Sequence, residues 1–202
     1  MKLSPEAHVV LMGHPLLFQE QPQVTLDEIA TSEFQDNLGA LRQIQIRSNG
    51  IGIAAPQAGW PVRVISIGAS DENLKRYPDA EHIPFNFWIN PQVTETSANT
   101  CWAWEGCLSV PGIRGWVERP ESITIAGYDQ SGQRQEAVLT SFHARVMQHE
   151  LDHLNGILYP TRVEDKSLLI PELAMANQNE WSEDWPTPGA RITPGGVISQ
   201  QR

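Results

Sequence analysis

The sequence predicts an α+β fold: mostly antiparallel sheets packed around a central helix that carries a His-Glu-x-x-His pattern. Three observations point there. The elements come in the order of one N-terminal helix, several short β-rich runs, then a second amphipathic helix. The runs 121–129 and 133–141 flank Gln130-Ser131-Gly132 and form a hairpin signature. Strand and helix never alternate in the way that a parallel sheet's crossovers demand.

Residues 1–24 read as an irregular lead-in broken by Pro5, Pro15 and Pro22. A helix follows from Ser32, with Phe34, Leu38, Leu41 and Gln45 on one stripe and Ile44 beside it. Asn49-Gly50 stops it, because both residues tolerate a left-handed backbone. Residues 50–61, GIGIAAPQAGWP, have no period of their own, and VRVISIG at 62–68 is a β-branched strand. Residues 70–84, with Pro78 and Pro84, form a loop. FWINPQVTE at 87–95 is a strand or an edge segment, since Pro91 has no N–H to give to a ladder. Ser141 caps the second helix, which runs to about Asn155 with Gly156 past its end. Phe142, Val146, His149, His153 and Leu154 cluster near one face of it and point into the core. Leu168–Met175 makes a short helix broken by Pro171, and the remainder, rich in Pro, Gly and charge, is expected to be mobile or loosely docked. The organisation is therefore a main domain over residues 1–164 and a partly irregular C-terminal extension over 165–202.

A chain of 202 residues suffices for one domain with a full core. Its net charge of -10 argues against binding a phosphate backbone, so no direct nucleic-acid partner is expected. No apolar run approaches the ~18 residues of a membrane span, and Pro5 and Glu6 ahead of a short apolar stretch make a poor signal peptide. The expected location is cytoplasmic, with no membrane partner. The only cysteines, Cys101 and Cys107, rule out a disulfide framework.

The chemistry concentrates in QHELDHLNG, residues 148–156. His149 and His153, four apart on a helix, project from one face and can ligate one metal ion, and Glu150 beside the first can reach a water on it. The bland alternative is a pair of core histidines next to a solvated Glu. A catalytic metal needs a third protein ligand. Downstream, Glu164, Asp165 and Glu172 sit in a polar segment and fit poorly. Upstream, Cys107 in CWAWEGCLSVPGIRG, before a Pro111-Gly112 turn, is the better candidate. A thiolate with two imidazoles suits zinc or ferrous iron.

Three segments in order, GIGIAAPQ (50–57), EGCLSVPG (105–112) and QHELDHLNG (148–156), resemble the three signature motifs of peptide deformylases. The resemblance covers about half of the chain, and the lead-in MGHPLL is also similar. It implies removal of the formyl group from the N-terminal formylmethionine of newly synthesised proteins, with N-formylmethionyl peptides and nascent chains as partners. It implies Cys107 as the third ligand with His149 and His153, and leaves Cys101 as structural. Such a metal lowers the pKa of its water. Glu150 would take the water's proton and return it to the leaving amine. The Gln57 side-chain amide and the Leu108 N–H would donate to the oxyanion. Ile51, Gly52 and Gly106 would line the substrate groove, its glycines letting a peptide backbone approach closely. Phe142 and Val146 are candidate walls for the Met side chain, Glu105 and Arg119 a supporting ion pair, and Arg114 a residue at the mouth of the groove. The resemblance puts Fe(II) first as cofactor and Zn(II) second, with Ni(II) and Co(II) compatible with the same ligands.

Gly13-His14-Pro15 departs from the family's usual Gly-Asp-Pro. In some bacterial members a C-terminal helix docks on the ribosome. The last forty residues here, acidic and broken by prolines, do not carry that contact over, and leave a transient ribosome encounter as the expectation. His8, His14, His82 and His143 match no motif. Two rival readings remain: an endopeptidase with a third ligand other than cysteine, and a deformylase-like fold that binds peptide N-termini or a structural metal without catalysis. A structural zinc would want four protein ligands, and only three are visible.

Overall fold

The computed structural model describes residues 1–69, 71–76, 81–188 and 198–200. In the lead-in a 3-10 turn, Pro15–Phe18, is capped by His14, whose Nδ1 accepts from Leu16 N. Helix α1, Leu26–Ile29, starts with a capping box between Thr25 and Glu28. Helix α2, Ser32–Arg47, is capped by the Thr31 hydroxyl. Phe34, Leu38 and Leu41 of its predicted stripe, with Ile44 beside them, are buried in one cluster with Ile53, Val64 and Ile89. Gln45 ends that stripe fully buried and spends its amide on the Ile51 and Gly68 carbonyls, which ties the helix to the chain that follows. Asn49, at φ 54°, turns the chain out of the helix as expected.

Two antiparallel sheets follow. The first contains β1 (Gly52–Ala54), β2 (Val64–Ile67), β3 (Asn86–Thr96), β6 (Ser122–Tyr128) and β7 (Arg134–Thr140), in the order β1-β2-β3-β6-β7. The second contains β4 (Thr100–Cys107), β5 (Val110–Pro120), β8 (Leu169–Pro171) and β9 (Ile198–Gln200), in the order β8-β5-β4-β9. The 121–141 hairpin forms as predicted, its turn held by Asp129 Oδ1, which accepts from Ser131 N and Gln133 N.

Several local expectations are corrected. Strand β3 is interior, paired with β2 on one side and β6 on the other. It accommodates Pro91 at a register shift between Ile89 and Gln92, where Asn90 takes φ 49° and no ladder bond is asked of the proline nitrogen. The turn after Cys107 is Leu108-Ser109 and not Pro111-Gly112, since Cys107 already faces Val110 across the β4–β5 pair. Part of the loop expected at 70–84 is a short helix α3, Asp71–Arg76, and residues 77–80 lie outside the described chain.

Helix α4, Ser141–Leu154, packs against β1, β2, β6 and β7 of the first sheet and β5 of the second. Ser141 does not cap it. It is the first helical residue, at φ 50°, and Thr140 precedes it with no side-chain cap bond. The C-terminal end is as expected, with Asn155 at the cap and Gly156 at φ 72°. The helix expected at 168–175 is instead strand β8 and then a 3-10 helix, Glu172–Glu180. Pro171 sits at the switch, where β8 has already paired with β5. The described part of the tail is docked: Trp181 and Trp185 pack on Trp104 of β4, ring centroids 5.7 and 5.9 Å away. Residues 189–197, 201 and 202, on which the rest of the mobile-tail expectation falls, lie outside the described chain.

Candidate active site

The last two turns of α4 and the end of β4 meet at one point. His149 and His153 share a helix face, and their ring centroids stand 5.1 Å apart. Strand β4 ends at Cys107, which the β4–β5 turn holds over that face, Sγ 3.2 Å from His153 Nε2. One donor atom from each of Cys107, His149 and His153 lies within 4.8 Å of the others, the only such cluster of three His, Cys, Asp or Glu donors among the described residues. Burial, with His149 next to it, holds His153 well below the usual imidazole range, so its nitrogen lone pair is available. Burial opposes a charge on His149 as well, but Cys107 and Glu105 outweigh it and raise its pKa well above the ordinary value. The donor set, a soft thiolate with two imidazoles, fits a divalent transition-metal ion.

The partner of His149 on its far side is Glu105, whose Oε2 is 2.9 Å from Nδ1. This leaves Nε2 for the cluster, the usual way a second contact fixes a ligating imidazole. Glu105 is the hub of a buried charge network. Arg119 donates to it from Nε at 2.6 Å and Nη2 at 2.9 Å, and Arg145 donates from Nη1 at 2.7 Å. Arg119 continues to Asp152 at 2.9 Å, and Asp152 also binds Arg162. Burial alone would raise the Glu105 pKa, but Arg119, His149 and Arg145 hold the carboxylate well below its usual range. The network joins β4, β5 and α4, the elements that carry the cluster.

Glu150, next to His149 on the helix, packs against β1. Its carboxyl is buried, Oε2 has no hydrogen-bond partner among the described residues, and burial pushes its pKa up to about 7. It rests on Gly52: a Cβ there would stand 2.6 Å from Glu150 Oε1. Gly52 is thus glycine first of all because Glu150 fills the space its side chain would take. Gln57, in the 3-10 turn Ala55–Ala58, is locked by Ala54 N, which donates to its Oε1 at 2.8 Å. Its Nε2 then points at Ser109 Oγ, 3.2 Å away, and at Cys107 Sγ, 3.6 Å away.

A cavity of about 320 Å³ opens onto these groups. The predicted groove residues Ile51, Gly52, Gly106, Phe142 and Val146 all line it, as do Gln57, Leu108, Cys107, His149 and Glu150. His153 lies behind the cavity wall, almost fully buried. Cys101 is not part of the site; it is buried on β4 against Arg145. The sequence paired Glu105 with Arg119 and put Arg114 at the mouth, as found, but it did not single out Arg145, Asp152 or Trp104, and it weighed Glu172 only as a poor metal ligand. Arg145 stands four before His149, and that helical spacing was the available signal. Asp152 was visible between the two histidines, yet only the fold brings Arg119 and Arg162 to it. Trp104 and Glu172 line the cavity with no local signal, because β8 and the following helix bring Glu172 there.

An α+β chain whose cavity ends on a thiol, an imidazole and a buried carboxyl, with a second imidazole just behind the wall, has the make-up of a metal-dependent hydrolase. A family model described as polypeptide deformylase matches residues 6–168. The chain belongs to that family, whose members are metal-dependent hydrolases that remove the N-formyl group from nascent peptides. Peptide deformylase 1 of Nitrosomonas europaea is 44% identical over 157 residues, 78% of this chain and 87% of that one. Peptide deformylase 2 of Pseudomonas syringae pv. tomato is 39% identical over 160 residues, 79% and 88% of the two chains. The Met-Ala-Ser-bound class I type b peptide deformylase from Acinetobacter baumannii superposes with a TM-score of 0.74 at 36% identity, covering 81% of this chain and 100% of that one. An actinonin complex of a peptide deformylase from Synechococcus elongatus gives 0.71 at 33% identity, 83% and 84%.

Proposed function

We propose that the protein deformylates N-formylmethionyl peptides and nascent chains with Cys107, His149 and His153 as metal ligands and Glu150 as the general base and acid. The convergence of the three donor atoms within 4.8 Å beside a buried carboxyl carries this reading. Cys107, His149 and His153 would hold a divalent ion, which would supply Lewis acidity to the formyl carbonyl and the attacking water. Everything else falls to the chain. Glu150 accepts a proton from that water as its oxygen bonds to the formyl carbon. The Gln57 Nε2–H and the Leu108 backbone N–H donate to the carbonyl oxygen as it takes on charge, which typically lowers the barrier by ~3 kcal/mol per donor. Glu150 returns the proton to the leaving amine as the C–N bond breaks, and formate departs. Gly52, Ile51 and Gly106 bind the peptide as an extended strand, and Phe142 and Val146 hold the Met side chain. The Met-Ala-Ser peptide bound by the Acinetobacter baumannii relative is what such a groove would release.

Fe(II) is the first choice of metal, then Zn(II), with Ni(II) and Co(II) also compatible with the ligand set. Cytoplasmic action on chains leaving the ribosome, through a transient encounter, completes the reading. No described helix is long and apolar enough to cross a membrane. The test is formate release from formyl-Met-Ala-Ser by protein purified without oxygen and loaded with Fe(II). Wild type should release formate and Glu150→Ala almost none. A folded, metal-loaded wild type that releases no formate overturns the reading, and internal cleavage of longer peptides would move the assignment to an endopeptidase.

A further inference from the structure

Two residues of the cavity mouth come from distant parts of the chain. Arg114 of β5 lies across Gly106, close enough that a Cβ on Gly106 would stand 2.7 Å from its Cζ. Glu172 opens the 3-10 helix after β8, and its Oε1 takes both Arg114 Nη2 and Arg114 Nε, the latter at 3.1 Å. Both side chains line the cavity. Glu172 lies beyond residue 168, where the match to the family model ends.

The placement of Glu172 is built in. Strand β8 pairs with β5 in the register Ile113↔Pro171, Arg114↔Ile170 and Gly115↔Leu169, which delivers residue 172 to the mouth. Behind it Trp181 and Trp185 pack on Trp104, which itself lines the cavity, so the segment is anchored on both sides of Glu172. The Arg114 side chain is 18% exposed and that of Glu172 is 51%, so the carboxylate keeps a solvent-facing side while it neutralises the guanidinium. A partly exposed pair of this kind is weak enough to exchange partners with a ligand.

We infer that Glu172 is a specificity-determining residue: it makes the groove prefer a basic over an acidic side chain downstream of the formylated methionine. A substrate carboxylate would have to compete with Glu172 for Arg114, whereas a substrate ammonium or guanidinium meets the outer side of the Glu172 carboxylate. The inference rests on the deformylase reading of the cavity.

The test uses full-length protein and C-terminally amidated formyl-Met-Ala-Lys, formyl-Met-Ala-Ser and formyl-Met-Ala-Glu, with the Ser peptide as the reference within each protein. Wild type should favour Lys over Glu in kcat/KM, mainly through KM. Glu172→Gln should shrink that ratio by roughly five-fold at low salt, the scale of one partly exposed charge contact. Glu180→Gln, the same charge change at the far end of the same helix, should leave the ratio as it is. Equilibrium binding of the unformylated Met-Ala-Lys and Met-Ala-Glu amides gives the same comparison without turnover. A ratio that ignores Glu172→Gln, or that moves equally with Glu180→Gln, overturns the proposal. Absence of turnover with a Glu172-dependent binding ratio would sink the deformylase chemistry and leave the groove preference standing. Absence of both removes the two together.

Discussion

Gly52 and Glu150 occupy one space: a Cβ on Gly52 would lie 2.6 Å from Glu150 Oε1 and 2.7 Å from its Cγ. Strand β1 therefore sets the position of the carboxyl that α4 carries. Gly52→Ala should push that carboxyl away from the cavity. Kinetics with formyl-Met-Ala-Ser should show a loss of about 10²-fold in kcat/KM, the usual effect of misplacing a reacting group by an ångström. Circular dichroism should show the fold retained, since one added methyl typically costs ~1–3 kcal/mol. Activity within a factor of two of wild type would mean that Glu150 is not placed by this contact.

Glu105 binds Arg119, Arg145 and His149 in a buried network. Glu105→Gln removes the one charge that both arginines share there. Denaturant unfolding should show a loss of ~3–5 kcal/mol, the cost of leaving buried charges uncompensated. Metal affinity should fall ~10–100-fold as the far side of His149 loses its partner. A variant as stable as wild type would show that Asp152 and the backbone carbonyls suffice for the arginines.

Cys107→Ser separates the thiolate-ligand reading from an endopeptidase that ligates its metal otherwise. Elemental analysis after anaerobic purification should find about one metal per wild-type chain and a several-fold lower content in the variant, because a hydroxyl is a poor ligand beside a thiolate. Full metal content and full activity in Cys107→Ser would remove Cys107 from the site.

His143, on α4 but turned away from the cluster, offers a pH test of stability. Burial lowers its pKa below 6.5, and Glu81 offsets this only in part. The unfolded chain therefore binds the proton more readily than the folded one. Stability should be full above pH 6.5 and should fall as the pH drops from 6.5 toward the lowered folded value, below which no more is lost. In His143→Gln that part of the acid loss should vanish, which paired thermal melts at pH 7.5 and 5.5 would reveal. An equal acid loss in both proteins would assign it to other groups.

Much of the site was legible in the sequence because it depends on local spacing. The i, i+4 relation puts His149 and His153 on one face of α4 whatever the fold around it. The short segment 105–108 presents Cys107 and Leu108 within one strand end and its turn. Errors fell where tertiary contacts override local rules. Pro91 reads as an edge signal, yet a bulge lets it sit in an interior strand. Pro171 reads as a helix break, yet it marks where a strand paired with β5 gives way to a helix.

The sequence by itself determined the candidate donors, their order and the α+β class, since residue chemistry and periodicity are carried along the chain. Only the tertiary structure decided what those donors rest on. Glu105 reaches His149 across 44 positions, Arg119 reaches Asp152 across 33, and Glu172 reaches Arg114 across 58. No local pattern encodes such pairs. They exist because α4 packs against both sheets and because β8 pairs with β5, which brings far-separated charges within hydrogen-bond distance.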